Sequence, residues 1–177
     1  SPPTAAGGGL IDRRKAVARI LKFRFFGQAA HGPPPAMRFQ SGGNDVPQVN
    51  AKSELHVVMR AKDLCRYVMT VTQRCPKQFR FTFVSRLQNL SLDIIRDIYL
   101  ANDVYVSGPD ARSKAQRRLE LQHKAMTETR LLCYITELAV EQKAMLPKQY
   151  EQIAKQGEEV LGLLGGWVAS DRRRYNL

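Results

Sequence analysis

Residues 150–167 read YEQIAKQGEEVLGLLGGW, and this stretch indicates most directly what kind of fold the chain adopts. Its apolar and small residues recur in steps of three and four: Tyr150, Ile153, Gly157, Val160, Leu164 and Trp167. That spacing puts them on one face of an α-helix, because a helix turns once every 3.6 residues. Pro147 stands where a proline favours the first turn of a helix. The segment therefore predicts a helix that buries one face.

Three upstream segments have the same period. The first carries an apolar stripe that follows a possible cap at Ser53 and ends at Cys75-Pro76: Leu55, Val58, Ala61, Cys65, Val68 and Thr72. The second carries a longer stripe: Phe79, Phe83, Leu87, Leu90, Ile94, Ile98, Ala101 and Tyr105. The third follows a turn that ends at Asp110, a capping residue, and repeats every seven residues: Leu119, Met126, Cys133 and Val140, with Leu132, Ile135 and Ala139 beside them.

These patterns predict helices near residues 53–74, 79–106, 110–143 and 147–170, with no strand of more than four residues between 53 and 170. Four amphipathic helices joined by short connections pack most simply as an antiparallel up-down-up-down four-helix bundle. We therefore expect an all-α fold, with the bundle formed by residues 51–177.

Residues 1–50 have a different character, because Gly and Pro runs interrupt them and no long helical stripe is present. We expect a basic, largely irregular extension. Residues 13–26 mix arginines with apolar residues, so an amphipathic targeting or membrane-surface helix is an alternative. The change of character at Met37 also fits a segment 1–36 that is not native, and we leave it out of the fold prediction.

The chain is basic, with 28 Lys and Arg against 16 Asp and Glu and a net charge of +12. Residues 37–177 alone carry 22 basic and 15 acidic residues, so the charge extends into the predicted bundle. Three cysteines without a C-x-x-C pair argue against a disulfide framework or a zinc knuckle. No run of about 18 apolar residues is present, so we predict no membrane partner. The composition favours a cytoplasmic protein with an anionic partner.

Candidate catalytic residues are few. Glu120 and His123 form one E-x-x-H pair, whereas a di-iron bundle needs two. Asp93 and Asp97 lie one helical turn apart and are candidate metal ligands of a small nuclease, but Arg96 between them favours ion pairing instead. Cys65 and Cys133 fall on apolar stripes, and no histidine pairs with a cysteine. We predict no enzyme activity, no cofactor and no metal site.

Several short motifs resemble one known family. They are Arg66-Tyr67-Val68-Met69 with Cys75-Pro76-Lys77, the loop Met145-Leu146-Pro147-Lys148-Gln149, and the helix end Val160-Leu161-Gly162-Leu163-Leu164-Gly165-Gly166-Trp167-Val168 followed by arginines. The stretch from Met59 to Arg174 resembles the accessory variability determinant (Avd) family of diversity-generating retroelements. It is similar, more distantly, to four-helix bundle proteins encoded in intervening sequences of ribosomal RNA genes. Ser91 to Ile98 lacks the proline and glycine of that second group, which favours the Avd side.

The resemblance implies a homopentamer of four-helix protomers that binds a retroelement reverse transcriptase and nucleic acid and supports mutagenic complementary-DNA synthesis. An oligomeric adaptor of the same bundle superfamily, without a retroelement role, is the alternative. A neighbouring reverse transcriptase gene with a repeat pair would separate the two. RNA and DNA are both open as the nucleic-acid partner.

The residues themselves favour an anionic partner at one end of the predicted bundle, where the start of helix three meets the end of helix four. The candidate nucleic-acid-binding residues are Arg112, Lys114, Arg117, Arg118, Lys124, Arg172, Arg173 and Arg174. The last three also suit the C-terminus of a helix simply as cations. Glycines in helix four suggest a close contact, so Gly162, Gly166 and Trp167 are candidate oligomer-interface residues, with core packing as the alternative for Trp167.

Overall fold

The computed structural model describes residues 49–177, with side chains from residue 56 onward. Most of the expected N-terminal extension, including all of segment 1–36, lies outside the described residues. Val49 and Asn50, which we expected in the extension, are the first two residues of a helix. The predicted cap Ser53 therefore lies inside that helix rather than at its start.

Four long α-helices form the described part of the chain. They are α1 (Val49–Thr72), α2 (Ser85–Asp103), α3 (Ala111–Glu141) and α4 (Pro147–Tyr175). A 3₁₀ turn (Lys77–Phe79) and a π-helical turn (Arg80–Val84) lead into α2. No strand occurs within residues 49–177, so the prediction of an all-helical fold is confirmed for this part of the chain.

The end of α4 lies further along the chain than predicted. The helix runs to Tyr175 because no glycine or proline follows Trp167, and because Asp171 continues the buried face. Asn176 then adopts a left-handed conformation with φ 55°, and the Leu177 N–H donates to the Arg172 carbonyl at 3.1 Å. A left-handed residue of this kind is a common end to an α-helix.

The core consists of apolar side chains from all four helices. Its largest fully buried members include Leu64, Leu87, Leu90, Ile94, Ile98, Leu132, Ile153 and Leu164. The α4 stripe agrees with the prediction from Ile153 to Trp167. Two positions in the predicted stripes of helices one and two do not agree with the structure. Val58 is only half-buried while Val57 is buried, and Tyr105 lies beyond the end of α2 with 80% of its surface exposed.

Helix α3 keeps the expected seven-residue repeat but turns a different face to the core. Its buried residues are mostly small or polar: Ala115, Arg118, Leu119, Leu121, Gln122, Ala125, Thr129, Leu132, Thr136 and Ala139. Met126, Cys133 and Val140, which we expected to be buried, are half-buried beside this face. Thr129 and Thr136 tolerate burial because each hydroxyl donates at 2.8 Å to the carbonyl four residues earlier.

Each helix packs against two others: α2 packs on α1 and α3, and α4 packs on α3 and α1. Polar contacts cross these boundaries. Gln88 Nε2 donates to Thr72 Oγ1 at 2.9 Å, and Ser91 Oγ donates to Cys65 Sγ at 3.3 Å. Residues late in α1 therefore meet residues early in α2.

Candidate nucleic-acid interface

Arg118, near the start of α3, joins three helices. It is 8% exposed, and its Nε donates to the Ala101 carbonyl at 3.1 Å while Nη2 reaches the Asn102 carbonyl at 3.4 Å. Those carbonyls belong to the last turn of α2, where a helix leaves acceptors without partners inside the helix. Arg118 therefore caps the C-terminus of α2 and places a positive charge there, which the helix dipole favours.

The same guanidinium faces α4. Its Nη1 lies 3.9 Å from Asp171 Oδ1, and its Cζ lies 5.9 Å from the centre of the Trp167 ring. Asp171 is buried, and its Oδ2 accepts a hydrogen bond from Gln122 Nε2 at 2.7 Å. We call these four residues, Arg118, Gln122, Trp167 and Asp171, the Arg118 cluster.

The prediction that Arg118 lies outside the buried stripe of helix three is wrong, because its side chain is buried. We took the α3 stripe to run through residues 119, 126, 133 and 140, which left Arg118 outside the core. The buried face is centred one residue earlier, and it puts Arg118 and Gln122 against α4. A buried arginine needs a partner, and Asp171 and the α2 carbonyls provide it.

Six exposed cations lie near the residues of the Arg118 cluster along α3 and α4. Arg112, Lys114 and Arg117 precede it on α3, and Arg172, Arg173 and Arg174 follow Asp171 on α4. Because Gln122 contacts Asp171, and because further along Cys133 faces Gly157, the two helix segments lie side by side up to these ends. We call the six exposed cations the basic surface.

Three of these six cations have side-chain contacts among the described residues. Lys114 Nζ donates to the Ser107 carbonyl at 3.2 Å, and Arg117 pairs with Glu120 at 3.1 Å although both side chains are about two-thirds exposed. An exposed pair of this kind contributes little to stability, so Arg117 can exchange Glu120 for another anion at small cost. The Arg174 guanidinium lies over the Tyr175 ring, 5.9 Å from its centre.

Lys124, another candidate, is engaged with a buried carboxylate. Its Nζ lies 3.0 Å from Asp97 Oδ2 and 3.7 Å from Glu128 Oε1, and Arg96 Nε donates to Asp97 Oδ1 at 3.0 Å. Burial alone would raise the pKa of Asp97, but the hydrogen bonds and charges of Lys124 and Arg96 outweigh it, so the pKa is lowered. Lys124 thus neutralises Asp97 and is not part of the basic surface.

The carboxylates considered as metal ligands form ion pairs instead. Arg96 Nη1 contacts Asp93 Oδ1 at 2.6 Å, as the alternative interpretation predicted. His123 Nδ1 lies 2.7 Å from the Leu119 carbonyl, and its E-x-x-H partner Glu120 pairs with Arg117. Within the residues the structure describes, no three His, Cys, Asp or Glu side chains are grouped as a metal site would need.

Cys133 and Cys75 lie where burial disfavours the thiolate. Burial, with the charge of Glu158, raises the pKa of Cys133 to about 11, and burial also raises the pKa of Cys75. Cys65 is buried and accepts the Ser91 hydroxyl. Because the thiolate is the nucleophilic form, the raised pKa values make Cys133 and Cys75 poor nucleophiles at neutral pH.

The candidate oligomer-interface residues fall into two groups. Trp167 is 4% exposed and packs in the core of its own chain. Gly162 and Gly166 are exposed, and a Cβ built on either would meet no atom of the described side chains and backbone within 4 Å. Gly157 differs, because a Cβ there would lie 2.8 Å from Cys133 Sγ. Close packing within the chain therefore explains Gly157 but leaves Gly162 and Gly166 without an internal reason.

A groove of about 400 Å³ between α1 and α4 was not foreseen from the sequence. Arg60, Arg66 and Lys155 line it together with Asp63 and Glu159. Asp63 lies 2.8 Å from Arg66, and Arg60 lies 3.9 Å from both Asp63 and Glu159. The three-residue spacing of Arg60, Asp63 and Arg66 is the signal that would have indicated this charged row.

Comparison of the chain with protein-family models and with curated proteins finds no match. Among the described helices, none combines the length and apolar character needed to cross a membrane.

Proposed function

We propose that this chain is a non-catalytic nucleic-acid-binding accessory protein that assists a retroelement reverse transcriptase in mutagenic complementary-DNA synthesis. The observation that carries the binding part is the basic surface, six exposed cations grouped around the buried Arg118 cluster. The reverse transcriptase part rests on the resemblance of residues 59–174 to the Avd family. A role beside that enzyme implies a cytoplasmic location and contact with RNA, DNA or both.

The grouping of the cations depends on an antiparallel up-down-up-down arrangement of the four helices, which is part of this proposal. Contacts between late and early residues support it: Thr72 with Gln88 across α1 and α2, and Gln122 with Asp171 across α3 and α4. Across α2 and α3, Arg118 bonds to Ala101 while Lys124 pairs with Asp97. In each case the contact advances along one helix as it retreats along the other.

The chemistry of the basic surface suits phosphate rather than particular bases. Arginine presents a planar fork of donors that matches two phosphate oxygens, and each phosphate contact releases counterions from the nucleic acid. Binding should therefore tolerate many sequences and weaken steeply with salt. Glu120 is exposed on the same helix as three of these cations, and Asp110 is exposed just before that helix, so the basic surface also contains negative charge.

A homo-oligomer, most simply the pentamer of the resembled family, is part of the same proposal. The exposed Gly162 and Gly166 support it, because a helix face without side chains allows a second helix to approach closely. The same glycine face favours the second candidate function, an oligomeric adaptor without a retroelement role. A reverse transcriptase gene and a repeat pair beside this gene would favour the first candidate.

The test of nucleic-acid binding replaces Arg112 and Arg117 together by Gln. Both are exposed, so the helical fold should be unchanged. We expect weaker binding to any duplex and a salt dependence reduced by roughly 0.9 in log–log slope per lost phosphate contact. The matched control replaces Lys62 and Lys148, also exposed, by Gln, which removes the same charge elsewhere.

Filter binding over a range of salt concentrations measures both quantities. If the Arg112/Arg117 variant keeps the affinity and slope of the wild type, the basic surface is only a solvated face. If both variants lose affinity equally, net charge rather than this surface attracts the nucleic acid.

A further inference from the structure

The connection between α2 and α3 presents an aromatic ring to solvent. Tyr105 is 80% exposed, and it follows Val104, whose backbone is extended with φ −70° and ψ 102°. The fold gains little from this ring, because its apolar faces are left in water. We expected Tyr105 to belong to the buried stripe of helix two. It lies beyond the end of α2 instead, and its side chain is exposed.

Contacts on both sides hold the connection against the basic surface. Just before Tyr105, Arg118 bonds to the carbonyls of Ala101 and Asn102. Just after it, Lys114 Nζ donates to the Ser107 carbonyl at 3.2 Å, and Gly108 makes the turn into α3 with φ 78°. Tyr105 therefore lies between two segments anchored by cations of α3, at the margin of the basic surface.

An exposed aromatic ring beside phosphate-binding cations is the combination that proteins use to hold unpaired bases. A base in a duplex is already stacked on its neighbours, whereas a base in a single strand has a free face that a tyrosine ring can cover. The arginines would then hold the neighbouring phosphates.

We propose that the basic surface binds a single-stranded segment of nucleic acid, with one unpaired base stacked on Tyr105 and adjacent phosphates held by Arg112 and Arg172–Arg174. This inference rests on the proposed nucleic-acid function and narrows its ligand to unpaired strands. The stacking contact tolerates any base, because every base has a π face.

The experiment compares four proteins on three probes. The proteins are the wild type, Tyr105→Ala, Tyr105→Phe and Tyr134→Ala; Tyr134 is a matched control on α3 that is 60% exposed. The probes are a short oligothymidylate, the same strand with abasic sites throughout, and a duplex of the same length. Dissociation constants are measured for each combination over a range of salt concentrations.

We expect Tyr105→Ala to lose about tenfold in affinity for oligothymidylate, the effect of one lost base stack. Tyr105→Phe keeps the ring and should bind like the wild type, as should Tyr134→Ala. The abasic strand should bind wild type and Tyr105→Ala equally, because neither complex has a base to stack. The slope of affinity against salt should be the same for wild type and Tyr105→Ala, since stacking releases no counterions.

Two results would overturn the inference while leaving the proposed function intact. One is an unchanged affinity of Tyr105→Ala for oligothymidylate; the other is an equal loss on the oligothymidylate, the abasic strand and the duplex, which would indicate a disturbed surface. If the wild type binds neither strand nor duplex, the proposed function itself fails, and this inference with it.

Discussion

Replacing Gly157 by Ala adds one methyl group and tests how closely α3 and α4 pack at this residue. A Cβ on Gly157 would lie 2.8 Å from Cys133 Sγ and 3.7 Å from Thr129 Cγ2. Alanine normally favours a helix over glycine by about 1 kcal/mol, but overpacking a buried site costs about 1–3 kcal/mol. We expect Gly157→Ala to lower the free energy of unfolding by about 1 kcal/mol, measured by urea denaturation.

The double variant Gly157→Ala/Cys133→Ala separates the two effects. Removing the sulfur atom makes room for the new methyl group, so the double variant should be more stable than Gly157→Ala alone. If the two changes instead add their separate losses, the sulfur atom is not what restricts position 157.

Replacing Glu128 should change the stability of the fold in a direction that depends on pH. Burial raises its pKa, the charge of Asp97 adds to this, and Lys124 acts in the opposite direction. A carboxyl with a raised pKa destabilises the fold when it is ionised, and this cost disappears below the pKa of the unfolded chain. Glu128→Gln should therefore raise the melting temperature at pH 7, and the gain should shrink to zero as the pH falls below about 4.3.

The measurement is a series of thermal melts of wild type and Glu128→Gln from neutral to acidic pH. The charges of Asp97, Lys124, Asp93 and Arg96 also act on this carboxyl and are present in both proteins, so only the difference between the two curves is informative. A gain that stays constant across the pH range would mean that the effect comes from packing rather than ionisation.

At the scale of the helices, α3 shows what periodicity can and cannot predict. The seven-residue repeat was read correctly, but the stripe was drawn through the most apolar residues, such as Met126 and Cys133. The buried face instead carries Thr129 and Thr136, whose hydroxyls donate to carbonyls of the same helix, and Gln122, whose Nε2 donates to Asp171. Hydrophobicity alone does not predict that these polar residues are buried. The bond from a threonine hydroxyl to the carbonyl four residues earlier, and the bond from Gln122 to Asp171, exist only after folding.

The α4 stripe was predicted well because its buried residues are also its most apolar ones, such as Ile153 and Leu164. The candidate site was predicted in part, since the exposed arginines lie on the segments expected. Arg118 was misjudged because arginine is rarely buried, and only the carbonyls at the end of α2 and Asp171 explain its burial. Spacing along one helix carries no information about such partners.

Arg118 should accordingly matter to the assembly of the helices. Replacing it by Met leaves Asp171 buried without its nearby cation, and breaking a buried pair costs about 3–5 kcal/mol. We expect Arg118→Met to lower the urea midpoint strongly, whereas Arg117→Met, at an exposed position, should change it little. Equal effects of the two substitutions would contradict the structural role given to Arg118.

At the scale of the whole molecule, substitutions at Gly162 and Gly166 should affect the stability of the protomer and the assembly of the oligomer in opposite directions. Nothing among residues 56–177 blocks a Cβ at either position, so Gly162→Ala and Gly166→Ala should each stabilise an isolated protomer by up to about 1 kcal/mol. If the glycines lie in a subunit contact, bulkier side chains should weaken the oligomer at the same time. Light scattering at tens of micromolar measures the assembly, with Thr127→Gln, at an exposed position on α3, as the control.

A wild-type protein that remains monomeric under these conditions would contradict the proposed oligomer. A Gly162→Leu/Gly166→Leu variant that assembles like the wild type would contradict the assignment of these glycines to the contact. In that case the subunits would have to meet through another face.

The single tryptophan gives the molecule a built-in optical signal. Trp167 is buried under the Arg118 guanidinium, within the cluster that joins α2, α3 and α4. Its emission spectrum therefore depends on the packing of this one end of the helices. A red shift on heating would report when Trp167 becomes exposed to water, without any label. A strand bound to the neighbouring arginines would change the emission only if it disturbed that packing, so intrinsic fluorescence can tell whether binding stays on the surface or reaches the core.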